Sequence, residues 1–108
     1  MAVTLTDPSL LKTQAYINGQ WVDAQDGNTF EVINPANGEV IAKVANVGAE
    51  QTKQAIAAAE QAMKEWQGLA AKQRCDILEA WYDLVMANQE DLAILLTTEQ
   101  GKTLAEAR

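Results

Sequence analysis

Gly101, Lys102 and Thr103 have the types and order of the last three residues of a phosphate-binding loop. Such a loop also needs a Gly five positions before Gly101 and a strand in front, so that successive backbone amides surround the phosphates. Position 96 is Leu, and the apolar residues before it follow helical spacing. The sequence therefore favours a helix end, with Gly101 at the left-handed position and Lys102 offering positive charge to the last carbonyls.

Cys75 is the one obvious nucleophile, in a chain that has a single Cys and no His. A thiol is activated by a base, a helix N-terminus or a cationic neighbour, and Arg74 alone gives little support for activation. Cys75 is expected inside a helix, one turn before Leu78 on the edge of an apolar stripe. We therefore predict a buried or half-buried structural thiol, and no metal site built from Cys and His.

Carboxylates and Trp residues are the remaining side chains that could act on a ligand. The carboxylates are predicted on helix faces opposite the apolar stripes, which favours solvated surface over acid–base catalysis. Trp66 and Trp81 hold stripe positions and Trp21 lies in a predicted half-buried strand, so packing accounts for all three. The acidic residues in question are Glu60, Glu65, Asp76, Glu79, Asp83, Glu90 and Asp91.

The composition limits the classes of protein to consider. At 108 residues, the chain is long enough for one domain at most, and 48% hydrophobic residues with three Trp indicate that it is ordered. A net charge of −7 disfavours nucleic acid and anionic membrane surfaces as partners, since Lys and Arg dominate both contacts. No segment has the apolar length of a membrane span, and the start does not resemble a signal peptide, so we expect a cytoplasmic protein.

Residues 1–48 form a turn-rich segment that predicts short antiparallel strands. Asp7 and Pro8 are typical of a helix start, so a short helical turn should run from Pro8 to about Lys12. Three turn dipeptides then separate runs rich in β-branched and aromatic residues. The turns are Asn18-Gly19, Asp26-Gly27 and Asn37-Gly38, and the strands are two within Tyr16–Val22, one over Thr29–Ile33 and one over Glu39–Val44.

Residues 49–108 form a helical segment. Apolar residues at spacings of three or four predict helices from about Glu50 to Trp66 and from Ala71 to Ala87. Gly68 should end the first helix, and Asn88 should cap a third that runs from about Gln89 to Gln100. We expect the stripe of the second helix to anchor the local core, and its residues are Ile77, Leu78, Trp81, Tyr82 and Val85.

Thr103 and Glu106 predict a fourth helix through a capping box, in which the Thr hydroxyl accepts from the Glu106 amide and the carboxylate returns to the Thr103 amide. Arg108 follows after barely one turn, and one turn of helix is unstable without support from other elements. We therefore expect the chain to be the beginning of a longer polypeptide. The predicted fold class is an α+β segment, with short antiparallel strands followed by three to four helices.

Six segments follow the order and spacing of a known family. They are Tyr16–Trp21, Val32–Val40, Ala55–Trp66, Arg74–Trp81, Glu90–Ala93 and Glu99–Ala107. Together they resemble the opening of an NAD(P)-dependent aldehyde dehydrogenase over nearly the whole chain. Thr97–Ala107 and Trp81–Leu84 are most similar to bacterial succinate-semialdehyde and glutarate-semialdehyde dehydrogenases. The typical run has Pro where this chain has Thr103, and both residues suit a helix start.

The resemblance implies an incomplete N-terminal part of the coenzyme-binding domain of an α/β fold, with NAD or NADP bound downstream. In the family a Cys thiolate attacks the aldehyde, the nicotinamide accepts a hydride and a Glu activates water. Those residues lie downstream in the family, and Cys75 does not match the nucleophile's motif, so no catalytic or cofactor-binding residue is assigned. The implied parent is a homo-oligomer that oxidises a semialdehyde, succinate semialdehyde foremost, while this segment alone is inactive.

One minor site of the family maps onto this chain. Some members bind a monovalent cation through a backbone carbonyl just before the Asn-Pro turn and an acidic side chain before the Gly-Lys pair. Those positions are Ile33 and Glu99 here. The resemblance therefore implies a candidate cation site at these two residues, whose oxygen donors suit a hard cation.

A second interpretation belongs to a different class of protein. The chain could be a stand-alone, non-catalytic helical interaction module that keeps the packing pattern of the same scaffold. Such a module should unfold cooperatively and bind a defined partner. A part of an enzyme should fold marginally or aggregate, because strand edges and apolar faces meant for the remainder are exposed.

Overall fold

A computed structural model describes residues 3–108, so the first two positions of the predicted N-terminal segment lie outside it. Strands come first and helices follow, which confirms the predicted α+β class. A short 3₁₀ turn over Pro8–Leu10 precedes them. The strands are β1 (Ala15–Ile17), β2 (Gln20–Val22), β3 (Thr29–Ile33) and β4 (Val40–Ala45), and the helices are α1 (Ala49–Gly68), α2 (Ala71–Ala87), α3 (Gln89–Gln100) and α4 (Leu104–Ala107).

The β1–β2 hairpin is set by its turn. The two strands pair antiparallel, with Tyr16 opposite Trp21. Asn18 has φ 51° and Gly19 has φ 76°, so both central residues adopt the left-handed conformation that a type I′ turn requires. The predicted hairpin around this dipeptide is therefore confirmed.

The β3–β4 pair forms a second antiparallel sheet of two strands, and the two sheets are not joined within the described chain. The register changes near the end of β3, since Val32 faces Ala42 whereas Ile33 faces Val40. The residue between those two partners, Ile41, is the extra one of a β-bulge. The bulge disrupts the ladder beside Ile33, the predicted cation ligand.

Two predicted helix ends differ from the structure. Helix α1 includes Gly68, and the chain leaves the helix at Leu69, whose N–H donates to the Trp66 carbonyl at 3.2 Å. The Asn88 side chain makes no hydrogen bond that caps α3. Its nitrogen donates to the Leu84 carbonyl at 2.9 Å and so closes the end of α2 instead.

The start of α4 keeps half of the predicted capping box. The Glu106 amide donates to the Thr103 hydroxyl at 3.3 Å. The predicted return bond, in which the Glu106 carboxylate accepts from the Thr103 amide, is not formed. A return bond of this kind occurs at α2, where the Gln73 side chain accepts from the Ala70 amide at 2.9 Å. Among the described residues, no helix combines the length and the apolar character that crossing a membrane requires.

Few side chains are buried. Between residues 3 and 108, the buried apolar residues are Ala24 and Ala93, and the buried polar ones are Gln51 and Asp91. The radius of gyration is 16.6 Å, against about 13 Å for a compact domain of this length. The prediction that the apolar stripe of α2 anchors the local core is wrong, because no described part of the chain covers the stripe. Its stripe, Ile77, Leu78, Trp81, Tyr82 and Val85, is 40% to 65% exposed.

Candidate functional site

Ile33 and Glu99, the predicted cation ligands, lie at the ends of two elements. Ile33 is the last residue of β3 and is 42% exposed. Glu99 is an exposed residue in the last turn of α3. Carbonyl and carboxylate oxygens fit a hard cation, although residues 3–108 contain no group of three His, Cys, Asp or Glu side chains that could hold a metal ion. The pair therefore stays a prediction.

Gly101 brings the end of α3 against the turn that follows β3. Its φ is 87°, in the left-handed region, and its N–H donates to the Thr97 carbonyl at 3.0 Å. A Cβ placed on Gly101 would lie only 3.0 Å from Cγ of Pro35, so a side chain here would meet both backbone strain and a steric clash. The predicted helix end is confirmed. The segment before Gly101 is helical, so the phosphate-loop alternative lacks its strand.

Gln51 joins α1 to the loop after β2. The Gln51 side-chain oxygen accepts from the Gln25 amide at 2.9 Å, and its nitrogen donates to the Asp23 carbonyl at 2.9 Å. Gln51 is 7% exposed and lies in the first turn of α1. A buried carboxamide with both ends bonded is satisfied, and it satisfies two loop backbone groups in return. The loop residue between those groups, Ala24, is buried.

Asp91 joins α3 to the N-terminal part of the chain. Its two carboxylate oxygens accept from the Thr6 amide at 2.9 Å and from the Asp7 amide at 2.8 Å. These backbone hydrogen bonds lower the pKa of Asp91, with the bond from Asp7 the larger cause. The carboxylate is therefore held in its charged form, although Asp91 is only 6% exposed. The prediction that Asp91 lies on a solvated face is wrong.

Glu90 is exposed, as predicted, but it is bonded. Its two oxygens accept from the Arg108 guanidinium at 2.8 and 3.0 Å, and this pairing lowers the pKa of Glu90. The bidentate geometry fixes the end of α4 against the start of α3. The remaining members of the predicted solvated set, Glu60, Glu65, Asp76, Glu79 and Asp83, are all exposed.

Cys75 is exposed, so the prediction of a buried or half-buried thiol is wrong. It lies on α2, where the described chain leaves the surrounding face open to solvent. Its sulfur donates to the Glu79 carboxylate at 3.6 Å, and the negative charge of Glu79 raises the pKa of Cys75. A raised pKa opposes thiolate formation, which is the reverse of what a nucleophile needs. An open groove surrounds the thiol, and Trp66, Arg74, Leu78, Glu79 and Tyr82 line it.

The Trp residues differ in their surroundings. Trp66 is half-buried, whereas Trp81 is 65% exposed, so packing within this chain does not account for Trp81. Trp21 is 44% exposed and packs on Tyr16, with 5.0 Å between ring centroids. The Lys12 ammonium lies 5.0 Å from the centre of the Trp21 ring, within range of a cation–π contact.

The two buried polar residues were missed by sequence reasoning. Gln51 and Asp91 are each the third residue of a helix, at a position where a side-chain acceptor usually returns to the helix's own first amide. Both instead accept from amides that are distant in sequence. One signal in the sequence could have identified Gln51 and Asp91. Each is a polar residue at the third position of a helix that has no Ser or Thr cap before it.

The chain belongs to the aldehyde dehydrogenase family, whose model matches residues 21–108. It is 52% identical to a glutarate-semialdehyde dehydrogenase of Pseudomonas putida over 96% of this chain and 22% of that protein. It is 49% identical to an NADP(+) succinate-semialdehyde dehydrogenase of Escherichia coli, with the same shares covered. The structure of succinate-semialdehyde dehydrogenase from Burkholderia pseudomallei superposes with a TM-score of 0.92 at 53% identity, again over 96% of this chain and 22% of that one. The chain thus spans about a fifth of the length of these relatives.

Proposed function

We propose that this chain is the N-terminal part of a cytoplasmic enzyme that oxidises a semialdehyde, succinate semialdehyde foremost, to the carboxylic acid with NAD or NADP. The main support is sequence identity over 96% of this chain. The chain is 49% identical to a succinate-semialdehyde dehydrogenase and 52% identical to a glutarate-semialdehyde dehydrogenase. Residues 1–48 and 49–108 together form an incomplete N-terminal part of the coenzyme-binding domain. The cofactor and the aldehyde bind to the part that follows, and the parent enzyme is a homo-oligomer.

The role of this chain in that enzyme is to position elements by packing. Its one thiol has a raised pKa beside Glu79, and no His is available as a base, which supports the absence of a catalytic residue. The exposed stripe of α2, with Trp81 at 65% exposure, supports a face that packs on the remainder of the enzyme.

The cation site is part of the same proposal. The Ile33 carbonyl and the Glu99 carboxylate contribute oxygen ligands to a monovalent cation, and the contact of Gly101 with Pro35 supports their proximity. A potassium titration of the thermal midpoint of the enzyme that carries this chain tests it. Glu99→Gln should abolish the rise in midpoint, whereas exposed Glu106→Gln should retain it. An unchanged rise in Glu99→Gln would contradict this assignment alone.

Two experiments test the enzyme proposal. The purified chain, mixed with succinate semialdehyde and either NAD+ or NADP+, should reduce no cofactor, and measurable turnover would overturn the proposed inactivity. Sequencing the gene past Arg108 should find, in frame, a Cys nucleophile, a Glu base and a Gly-bearing turn between a strand and a helix. If these did not follow, the enzyme assignment would fail for this polypeptide.

Calorimetry distinguishes this proposal from a stand-alone interaction module. We expect the isolated chain to show marginal folding or aggregation, because its largest apolar side chains are exposed rather than buried. A sharp, reversible and cooperative transition well above room temperature would favour the module instead.

A further inference from the structure

Residues 6–13, near the start of the described chain, form a strap that is fixed at both ends. At one end, the Thr6 and Asp7 amides donate to the Asp91 carboxylate of α3. At the other end, the Thr13 carbonyl accepts from the Ala45 amide at the end of β4, at 2.8 Å. The strap therefore connects the helical part of the chain to the sheet of β3 and β4.

We propose that Asp91 acts as a latch for this strap, and that removing its negative charge releases residues 6 and 7 without unfolding α3. The inference goes beyond the proposed enzyme function, because it concerns a conformational device within the chain itself. Two amides must each meet an acceptor, and a carboxylate supplies two acceptor oxygens in one plane. An Asn side chain supplies one oxygen, and it would turn an NH₂ group toward the other amide.

The remaining interactions of the strap are weak in comparison. Its apolar residues Leu10 and Leu11 are only half-buried. The Asp7 carboxylate is used within the strap, where it accepts from the Ser9 amide at 3.0 Å and from the Ser9 hydroxyl at 2.6 Å. The charge-assisted bonds to Asp91 therefore provide the main hold at this end.

The ionisable groups around Asp91 determine how the latch responds to pH. The Asp7 and Glu90 side chains line the same shallow pocket as Asp91, and Arg108 neutralises Glu90 through two hydrogen bonds. The backbone bonds from Asp7 and Thr6 lower the pKa of Asp91. A lowered pKa in the folded state means that the stabilisation is complete above the ordinary Asp value, about 3.9, and is lost as pH falls through the lower folded value. The latch is thus closed at neutral pH and opens only in acid.

Amide hydrogen exchange of the enzyme that carries this chain tests the latch. In Asp91→Asn, the Thr6 and Asp7 amides should exchange roughly tenfold faster or more, because a bond to a charged acceptor is lost. The α3 amides should change by less than about fivefold, since losing a first-turn charge removes only a helix-dipole contribution. The matched control Glu90→Gln should leave the Thr6 and Asp7 rates unchanged.

Two results in the Asp91→Asn variant would contradict the latch. Unchanged Thr6 and Asp7 rates in Asp91→Asn would show that the strap is held by other contacts. Equal acceleration of the strap and of α3 would show that Asp91 supports the whole fold rather than a separable strap. In the unaltered enzyme, the protection of the Thr6 and Asp7 amides should fall in acid before that of α3. Protection lost together in both segments would overturn the proposal independently of any variant.

Discussion

Helical periodicity predicts both α3 and the apolar stripe of α2. The start of α3 is buried, however, whereas the stripe of α2 is exposed. Ala93 on α3 is 1% exposed, while Trp81 on α2 is 65% exposed. Hydrogen bonds that the Asp91 and Glu90 carboxylates accept tie the α3 region to two other segments. The described chain places nothing over the α2 stripe. Periodicity therefore identifies which face of a helix is apolar, whereas burial depends on whether another element lies against it.

The largest expected effect comes from a charge placed in the buried region. Ala93→Lys puts an ammonium where only 1% of the residue is exposed, and an uncompensated buried charge costs about 3–5 kcal/mol. In the enzyme that carries this chain, we expect the variant to lower the midpoint of thermal unfolding markedly.

The matched variant on α2 is Ala80→Lys, at an exposed position outside the stripe. A surface substitution of this kind changes the free energy of unfolding by about 0.5 kcal/mol or less. The thermal midpoint of the enzyme with Ala80→Lys should match that of the unaltered enzyme. An equal fall in midpoint in both variants would show that the two regions do not differ as the structure has them.

An intermediate effect is expected from Gln51→Ala. This change removes the hydrogen bonds that Gln51 makes with the Gln25 amide and the Asp23 carbonyl, and losing one such bond costs about 0.5–1.5 kcal/mol. The Gln25 amide should exchange with solvent up to roughly tenfold faster. Gln54→Ala is the control, because exposed Gln54 only accepts a 3.4 Å side-chain bond from Gln25. If Gln54→Ala accelerated the Gln25 amide equally, the buried carboxamide would not be the anchor.

The smallest effect concerns the open face of α2. Glu79 raises the pKa of Cys75, so Glu79→Gln should lower that pKa toward its ordinary value and increase the thiolate fraction near neutral pH. Alkylation of Cys75 by iodoacetamide near neutral pH should then proceed faster. Glu65→Gln, an exposed carboxylate on α1, should leave the rate unchanged. A slow rate in every variant at high pH would show instead that the thiol is covered.

The elements that local chemistry specifies could be predicted from the sequence. Asn18 and Gly19 accept positive φ, and the hairpin forms around them. Gly101 ends α3 in the left-handed conformation for the same reason. The bounds of α2 followed from apolar spacing and those of α3 from its place between Asn88 and Gly101, and both matched the structure. In each case the determining residues lie within a few positions of the feature.

The features that depend on distant partners could not be predicted. The bonds of Asp91 join residues 84 and 85 positions apart, and no local pattern states which amides a carboxylate will meet. The exposure of Cys75 and of the α2 stripe depends on the absence of a covering element in the described chain. The assignment of Ile33 and Glu99 as cation ligands depends on the family resemblance alone. Ile33 would bind through its backbone carbonyl, and a residue of any type has one.

The bonds from Thr6 and Asp7 to Asp91 also constrain the order of events during synthesis. The amides leave the ribosome first, and their acceptor follows 85 residues after Thr6. At the usual rate of about 5–20 residues per second, these amides wait roughly 4–17 s before the carboxylate exists. During that interval the Thr6 and Asp7 amides cannot form the bonds that they make in the folded chain. Docking of Thr6 and Asp7 onto Asp91 therefore reports that translation has passed the start of α3.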